Sequence, residues 1–215
     1  MAQDAAQTKS FEGGTALECT GLACVRGGRV LFRGVSFALH AGEACHVTGP
    51  NGLGKSSLIR VLAGLLPAYA GTVTATGRMA LADEKVALDT GLPLARALAH
   101  WTQLDGGMEA DIAGALAAVD LPHLADVPVR FLSTGQRKRA LLARISLSRA
   151  PIWLLDEPAN GLDSASIARL GTLMAAHRAA GGIVLAASHQ PLPLENAQTL
   201  PLADFAGSEI LEDAG

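Results

Sequence analysis

This sequence has no apolar stretch long enough to cross a bilayer. The best candidate, residues 141–155, is too short and is interrupted by Arg144 and Arg149, whereas a spanning helix needs about 20 mostly apolar residues. The first residues are polar and acidic and lack the apolar core of a signal peptide. We therefore expect a cytoplasmic protein in which residues 1–15 form a flexible lead-in.

Cysteine is also scarce. Cys19, Cys24 and Cys45 are odd in number and show no Cys-x-x-Cys spacing. Such a set does not suit a disulfide framework or a zinc site, so we expect three buried, inert thiols.

Positive charge is limited, and the formal net charge is −3. Only residues 137–139 form a basic cluster, within the stretch "FLSTGQRKRALLAR". This stretch has two interpretations: a nucleic-acid-binding arm, or a helix whose N-terminus holds a phosphate, here one that belongs to another subunit. The acidic total argues against the first, because a nucleic-acid-binding face needs a basic surface.

Apolar residues, in contrast, make up 49% of the chain, enough for a sizeable core. Alternating segments near the N-terminus predict a strand hairpin, and short apolar runs later in the chain predict buried strands. Helical spacing predicts one helix from Lys55 to Pro67 and a helical insert over about 86–149. A later amphipathic segment predicts a helix that ends at Gly181. Strands, a helical insert, then strand–helix–strand predict an α/β fold, followed by an acidic tail over 206–215.

The segment "GPNGLGKSS" fits the phosphate-loop pattern GxxxxGK[ST] and lies between a predicted strand and a predicted helix. Glycines let backbone N–H groups approach phosphate oxygens, and the helix N-terminus adds partial positive charge. We expect a solvated loop in which Lys55 bridges the β- and γ-phosphates, Ser56 ligates Mg²⁺ and Ser57 reaches the α-phosphate. The candidate nucleotide contacts are Gly49, Pro50, Asn51, Gly52, Leu53, Gly54, Lys55, Ser56 and Ser57.

Two carboxylates follow the apolar strand in "IWLLDEP". We expect Asp156, at the strand end, to hold Mg²⁺ and Glu157 to act as general base for an attacking water. His189 follows another apolar strand, in "AASHQ", and is a candidate polar contact beside the γ-phosphate.

The motifs "GPNGLGKSS", "LSTGQ", "IWLLDEP", "NGLD" and "SHQ", in this order, resemble those of ABC-transporter ATPase subunits. The resemblance implies one P-loop NTPase (RecA-like) domain over 16–205, with an antiparallel β subdomain and an inserted α-helical subdomain. It also implies ATP and Mg²⁺ as cofactors and a head-to-tail dimer that sandwiches ATP. The signature residues Ser133, Gly135 and Gln136 would then contact the γ-phosphate on the partner copy, and Asp163 would cross the interface.

Two positions depart from the family pattern. Arg26 stands where an aromatic residue usually stacks on adenine, so its guanidinium is the candidate stacking group, with Val25 nearby. The expected glutamine between the first lobe and the helical insert is missing. Glu84 is the nearest polar substitute and Asp83 the competitor, and a solvated turn with no role is the alternative to both.

Within the family, "GGIVLAASHQPL" resembles the ATP-binding subunit of the bacterial haem exporter of cytochrome c maturation. This implies a peripheral protein on the cytoplasmic face of the inner membrane, bound to an integral membrane permease and not itself binding haem. Trp101 is a candidate for the permease-docking groove, with ordinary core packing as the alternative. Other interpretations are another small exporter, a nucleic-acid- or ribosome-associated ATPase, or a P-loop kinase, in which "LSTGQ" and "NGLD" would have no role.

Overall fold

A computed structural model describes residues 14–83, 88–105 and 111–207. The first sheet in these residues is antiparallel. β1 (Ala16–Arg26) and β2 (Arg29–His40) form the predicted hairpin, in which Arg26 is paired with Arg29. The two glycines between them have φ of 54° and 71°, the left-handed values that a two-residue hairpin turn requires. β4 (Ala70–Thr76) pairs with the other edge of β1.

The second sheet is parallel and, in the described residues, contains β3 (Ala44–Thr48), β5 (Met79–Ala82), β6 (Ile152–Asp156), β7 (Ile183–Ala187) and β8 (Gln198–Pro201). Their order across the sheet is β5-β6-β7-β3-β8. β7 is buried at every position and β6 at every position but its last, as expected for strands covered on both faces. Because the strands are parallel, their carboxyl ends meet at one edge, where α/β proteins bind ligands.

Helices cover this sheet, and in the described residues three of them lie between β5 and β6, inside the region predicted as a helical insert. The helices are α1 (Lys55–Leu62), α2 (Leu94–Leu104), α3 (Asp111–Ala118), α4 (Thr134–Leu147) and α5 (Ser164–Ala179). Short 3₁₀ turns occur at Pro122–Leu124, Val129–Phe131 and Leu202–Phe205. None of the helices in the described part of the chain has the length and apolar character to span a bilayer.

The first helix ends earlier than predicted, at Leu62 rather than at Pro67. Gly64 takes a left-handed φ of 70°, and the N–H groups of Leu65 and Leu66 both turn back to the carbonyl of Arg60. This is how a glycine commonly terminates a helix. The apolar residues that follow had extended the helical pattern in the sequence without being part of the helix.

The three cysteines are buried, as predicted. Burial raises the pKa of Cys19 to about 11 and that of Cys45 to about 12. Since the thiolate is the reactive form, these thiols are inert at neutral pH. At the C-terminus Ala206 still pairs with Phe32, so the fold extends past the predicted start of the acidic tail, and residues 208–215 lie outside the described part.

Candidate functional site

The phosphate-loop sequence forms the connection between β3 and α1. Gly49, Gly52 and Gly54 have φ of 145°, 81° and 109°, values that only glycine adopts readily. A Cβ at Gly49 would lie 2.8 Å from the side chain of Leu53, and one at Gly54 would lie 3.2 Å from Leu31. Gly54 is the N-cap of α1 and, within the described residues, no side chain caps it. The first N–H groups of the helix therefore stay available to an anion.

The loop is solvated as predicted, with residues 50–52 exposed, whereas Lys55 itself is buried, with 5% of its surface exposed. Its Nζ atom donates to the carbonyl oxygens of Gly49 and Pro50, at 2.8 and 3.2 Å, and lies 3.3 Å from Glu157 Oε1. The long side chain folds back over its own loop, because these oxygens satisfy an ammonium that would otherwise be buried without partners. Lys55 thus crosses the space enclosed by the loop.

Ser56 and Asp156 come together although 100 residues separate them. The Ser56 hydroxyl donates to Asp156 Oδ1 at 3.0 Å. Burial raises the pKa of Asp156, the charges of Glu157 and Asp83 raise it further, and the Ser56 hydrogen bond and Arg60 oppose the rise. A hydroxyl and a carboxylate side by side are hard oxygen donors of the kind Mg²⁺ prefers. Two such ligands are enough when phosphates supply the rest, so these residues fit the ion.

Glu157 has an unusual backbone for a non-glycine residue, with φ of 49°. Its N–H donates to the carbonyl of Ala187 at 2.8 Å, which fixes this turn to the end of β7. The side chain lies between Lys55 and His189, whose Nδ1 is 2.9 Å from Glu157 Oε2. Such φ values are uncommon in non-glycine residues and often mark functional sites. Glu157 thus contacts two other predicted residues, Lys55 and His189.

Ser133, in the "LSTGQ" segment, is the N-cap of α4. Its hydroxyl accepts from the N–H of Gln136 at 3.2 Å, and Gln136 Oε1 accepts from the N–H of Ser133 at 2.8 Å. This capping box positions the first turn of the helix. A Cβ added to Gly135 would find only the carbonyl of Gly161 within 4 Å, at 3.8 Å. The role predicted for Ser133, Gly135 and Gln136 on a partner's ATP stays a prediction.

Asp163 caps the following helix, α5. Its Oδ1 accepts from the N–H of Ser166 at 2.8 Å, and the hydrogen bonding of Ser166 lowers the pKa of this exposed carboxyl. The carboxylate therefore caps the N-terminus of α5 within its own chain. Its predicted position across a dimer interface stays a prediction.

The two departures from the family pattern occupy different surroundings. Arg26 is exposed at the end of β1, beside the glycine turn. Asp83 is buried and pairs with Arg60, whose Nη2 lies 3.4 Å from Asp83 Oδ2. Glu84, the preferred substitute for the missing glutamine, lies outside the described residues. Asp83 therefore has a defined place at the carboxyl end of β5.

A cavity of about 30 Å³ lies next to these carboxylates, large enough for a water molecule. Its polar lining includes Asp83, Lys138, Asp156 and Glu157. Sequence reasoning missed Lys138, which donates to the carbonyl of Asn160 at 2.6 Å, and it missed Arg60. The spacing of Arg60 from Ser56 was a usable signal, because residues four apart share a helix face.

The family model for ABC transporters matches residues 32–160, more than half of the chain. The chain belongs to the ABC transporter family. It is an ATP-binding subunit of this family, an ATP hydrolase, and the fold predicted for that family is confirmed.

Curated relatives and solved structures agree with this family. The chain is 52% identical over 196 residues to a cytochrome c biogenesis ATP-binding export protein, CcmA, of Zymomonas mobilis, covering 91% of this chain and 88% of the relative. The protein of the same name in Novosphingobium aromaticivorans is 53% identical over 191 residues, covering 88% and 96%. A Pyrococcus furiosus chain described as the ATP-binding protein of an ABC transporter superposes with a TM-score of 0.79 at 21% identity, covering 89% of this chain and 99% of that one.

Proposed function

We propose that this ABC ATPase serves cytochrome c biogenesis, as the ATP-hydrolysing subunit of an export complex that handles haem or releases its chaperone. One observation carries the proposal. Relatives named for this process share more than half of the residues over nearly the whole chain.

In this proposal ATP lies along the phosphate loop and the N-terminus of α1. Lys55, which donates to the carbonyls of Gly49 and Pro50 and pairs with Glu157, contacts the β- and γ-phosphates. Ser56 and Asp156 would hold Mg²⁺, which would supply positive charge against the phosphate oxygens. Asp83, which pairs with Arg60, lines the same cavity as Asp156 and Glu157 and takes the place of the missing glutamine.

Glu157 is the proposed general base. A water in front of its carboxylate attacks the γ-phosphorus, Glu157 accepts the proton, and the bond to the β-phosphate oxygen breaks to give ADP and inorganic phosphate. The cavity beside Glu157 has room for a water. His189, 2.9 Å from Oε2, holds the carboxylate in its orientation and reaches toward the γ-phosphate.

Each chain has one phosphate loop and one signature segment, so we propose a head-to-tail dimer in which the two face each other. The first turn of α4 is ordered by its own capping box, and its N–H groups and dipole suit a γ-phosphate. Ser133 and Gly135 would contact the partner's ATP, and Asp163 would lie at the interface. An integral membrane permease on the cytoplasmic face of the inner membrane completes the proposed complex and contacts the helical insert. No direct binding of haem by this chain is proposed.

The biological role can be tested in Novosphingobium aromaticivorans that lacks its related ATPase. Expression of this chain should restore c-type cytochromes, measured as covalently attached haem on denaturing gels. The Glu157→Gln variant, produced at the same level, should not restore them. Restoration by Glu157→Gln, or failure of the wild-type chain despite its presence in the membrane fraction, would contradict the proposal.

A further inference from the structure

Phe131 is an exposed aromatic residue directly before the signature segment "LSTGQ". Among the Phe, Tyr and Trp side chains of the described residues, only Phe131, at 67%, and Tyr69, at 59%, are more than half exposed. An exposed aromatic ring that meets a partner contributes both apolar area and a stacking face.

The segment that carries Phe131 is held in place by hydrogen bonds on both sides. The N–H groups of Val129 and Arg130 donate to the carbonyls of Leu92 and Thr90, both at 3.0 Å. Arg137, on α4, donates from Nη2 to the carbonyl of Arg130 at 2.9 Å. The ring is therefore presented by a fixed backbone, and little conformational freedom would be lost on binding.

One face of the ring is already covered. The guanidinium carbon of Arg130 lies 4.7 Å from the centroid of the Phe131 ring, a cation–π arrangement. The other face can stack on a planar group. Aromatic rings bind nucleic-acid bases face to face and without strong sequence preference.

Phe131 also lies two residues before Ser133, the N-cap of α4. Two residues span at most about 7 Å, so the ring lies within one nucleotide length of the segment proposed to contact the γ-phosphate. On the phosphate-loop side, the exposed end of β1 offers the guanidinium of Arg26. A base held there would have one face for Arg26 and the other for a group supplied from across the interface.

We propose that Phe131 stacks on the adenine of the ATP held by the partner copy. Each complete site would then take its phosphate contacts from one chain and its aromatic platform from the other. The proposal rests on the head-to-tail dimer of the proposed function and adds to it a residue that recognises the base. The permease is the competing occupant of this ring, because Leu92, exposed at 38%, is bound to the same segment.

The first test measures ATP-dependent dimerisation by sedimentation, with Glu157→Gln in every chain so that ATP persists. Phe131→Leu keeps an apolar side chain and should weaken the dimer about tenfold or more, as expected for loss of one aromatic–base stack. Phe131→Trp should keep it, and Tyr69→Ala is the control for an exposed aromatic elsewhere. With inorganic tripolyphosphate in place of ATP, the Phe131→Leu and Phe131-intact proteins should dimerise equally.

The second test places the base across the interface. In a mixed dimer, one chain carries Lys55→Ala and Phe131→Trp, and only the other can hold ATP. Addition of ATP should quench the fluorescence of the introduced tryptophan through adenine stacking. A mixed dimer without Phe131→Trp gives the signal of Trp101 and Trp153, which is subtracted. Quenching found only when the substituted chain is the one that holds ATP would overturn the assignment.

The outcomes separate this proposal from the one on which it rests. If Glu157→Gln with Phe131 intact forms no dimer with ATP, the sandwich site fails and the stacking role fails with it. If the dimer forms and Phe131→Leu is as tight as the parent, the stacking role alone is overturned. Unchanged ATP-dependent dimerisation together with loss of membrane-partner association would assign the ring to the permease.

Discussion

The Nδ1 atom of His189 lies 2.9 Å from the Oε2 atom of Glu157. The other oxygen of the same carboxylate lies 3.3 Å from the ammonium of Lys55, so the carboxylate is held between an imidazole and a cation. The Lys55 ammonium thus interacts both with Glu157 and with the carbonyl oxygens of its own loop. ATP would draw Lys55 to its phosphates and free one oxygen of Glu157 for water.

Glu157→Gln should abolish hydrolysis and preserve ATP binding. The amide keeps the shape of the side chain and an oxygen for contact with His189, but it cannot accept a proton, so turnover should fall by about 10²–10⁴-fold. Steady-state phosphate release and equilibrium nucleotide titration measure the two properties. Glu195→Gln, at an exposed position, is the matched control and should behave as wild type. Turnover by Glu157→Gln within about tenfold of wild type would assign the base elsewhere.

Asp156→Asn should stabilise the nucleotide-free protein while it weakens Mg²⁺-dependent binding. Burial and two neighbouring carboxylates disfavour the charge of Asp156, and asparagine keeps an oxygen that can accept from Ser56. An increase of about 2–4 °C in the unfolding temperature at pH 7 corresponds to about 1 kcal/mol in a protein of this size. Such an exchange of stability for function is common at active sites. A lower unfolding temperature for the variant would contradict this account.

The gain in stability from Asp156→Asn should be larger at neutral pH than at acid pH. The pKa of Asp156 is raised in the folded state above its ordinary value of 3.8, so the folded state binds the proton more tightly than the unfolded state does. This carboxyl therefore favours folding at acid pH, and that contribution is lost as the pH rises through the raised pKa. The difference between Asp156→Asn and wild type should be largest at neutral pH and shrink below about pH 4, as thermal unfolding across this range can show.

The parts of the site that local patterns encode could be predicted from the sequence. The phosphate loop is one continuous motif, and Asp156 and His189 each follow an apolar run that reads as a buried strand. Parallel strands place their carboxyl ends at one edge, so the meeting of these residues follows from the topology. The hairpin was predictable for a similar local reason, because two glycines stand at its turn.

Other features depend on tertiary contacts that no local pattern encodes. Arg60 and Asp83 are 23 residues apart and meet only when α1 packs on the parallel sheet, and Lys138 donates to the carbonyl of Asn160 across a similar distance in sequence. The burial of Lys55 could not be predicted from the motif, which indicates only a loop, and loops are usually solvated. Its carbonyl partners become visible only in three dimensions.

Trp101→Ala should destabilise the fold, because Trp101 packs against the core of the helical insert. The guanidinium of Arg144 lies 4.3 Å from its ring centroid and donates from Nη1 to the carbonyl of Leu81 on β5, at 3.1 Å. We expect a loss of roughly 2–3 kcal/mol in the free energy of unfolding, below the value for a fully buried tryptophan. Trp101→Phe should recover most of it, and Leu104→Ala, exposed at 65%, is the control. Unchanged stability with impaired permease association would instead favour the docking role.

The signature segment should contact the ATP that the other chain holds. Consider a dimer of two distinguishable chains that both carry Glu157→Gln, so that the closed state persists, and of which one also carries Lys55→Ala and cannot hold ATP. The N-terminus of α4 suits a γ-phosphate, and one chain supplies only one loop and one signature. A photoreactive group on the γ-phosphate should therefore label residues 133–136 of the Lys55→Ala chain, detected by peptide mass spectrometry. Labelling confined to the signature of the ATP-holding chain would exclude the trans site and the dimeric mechanism that depends on it.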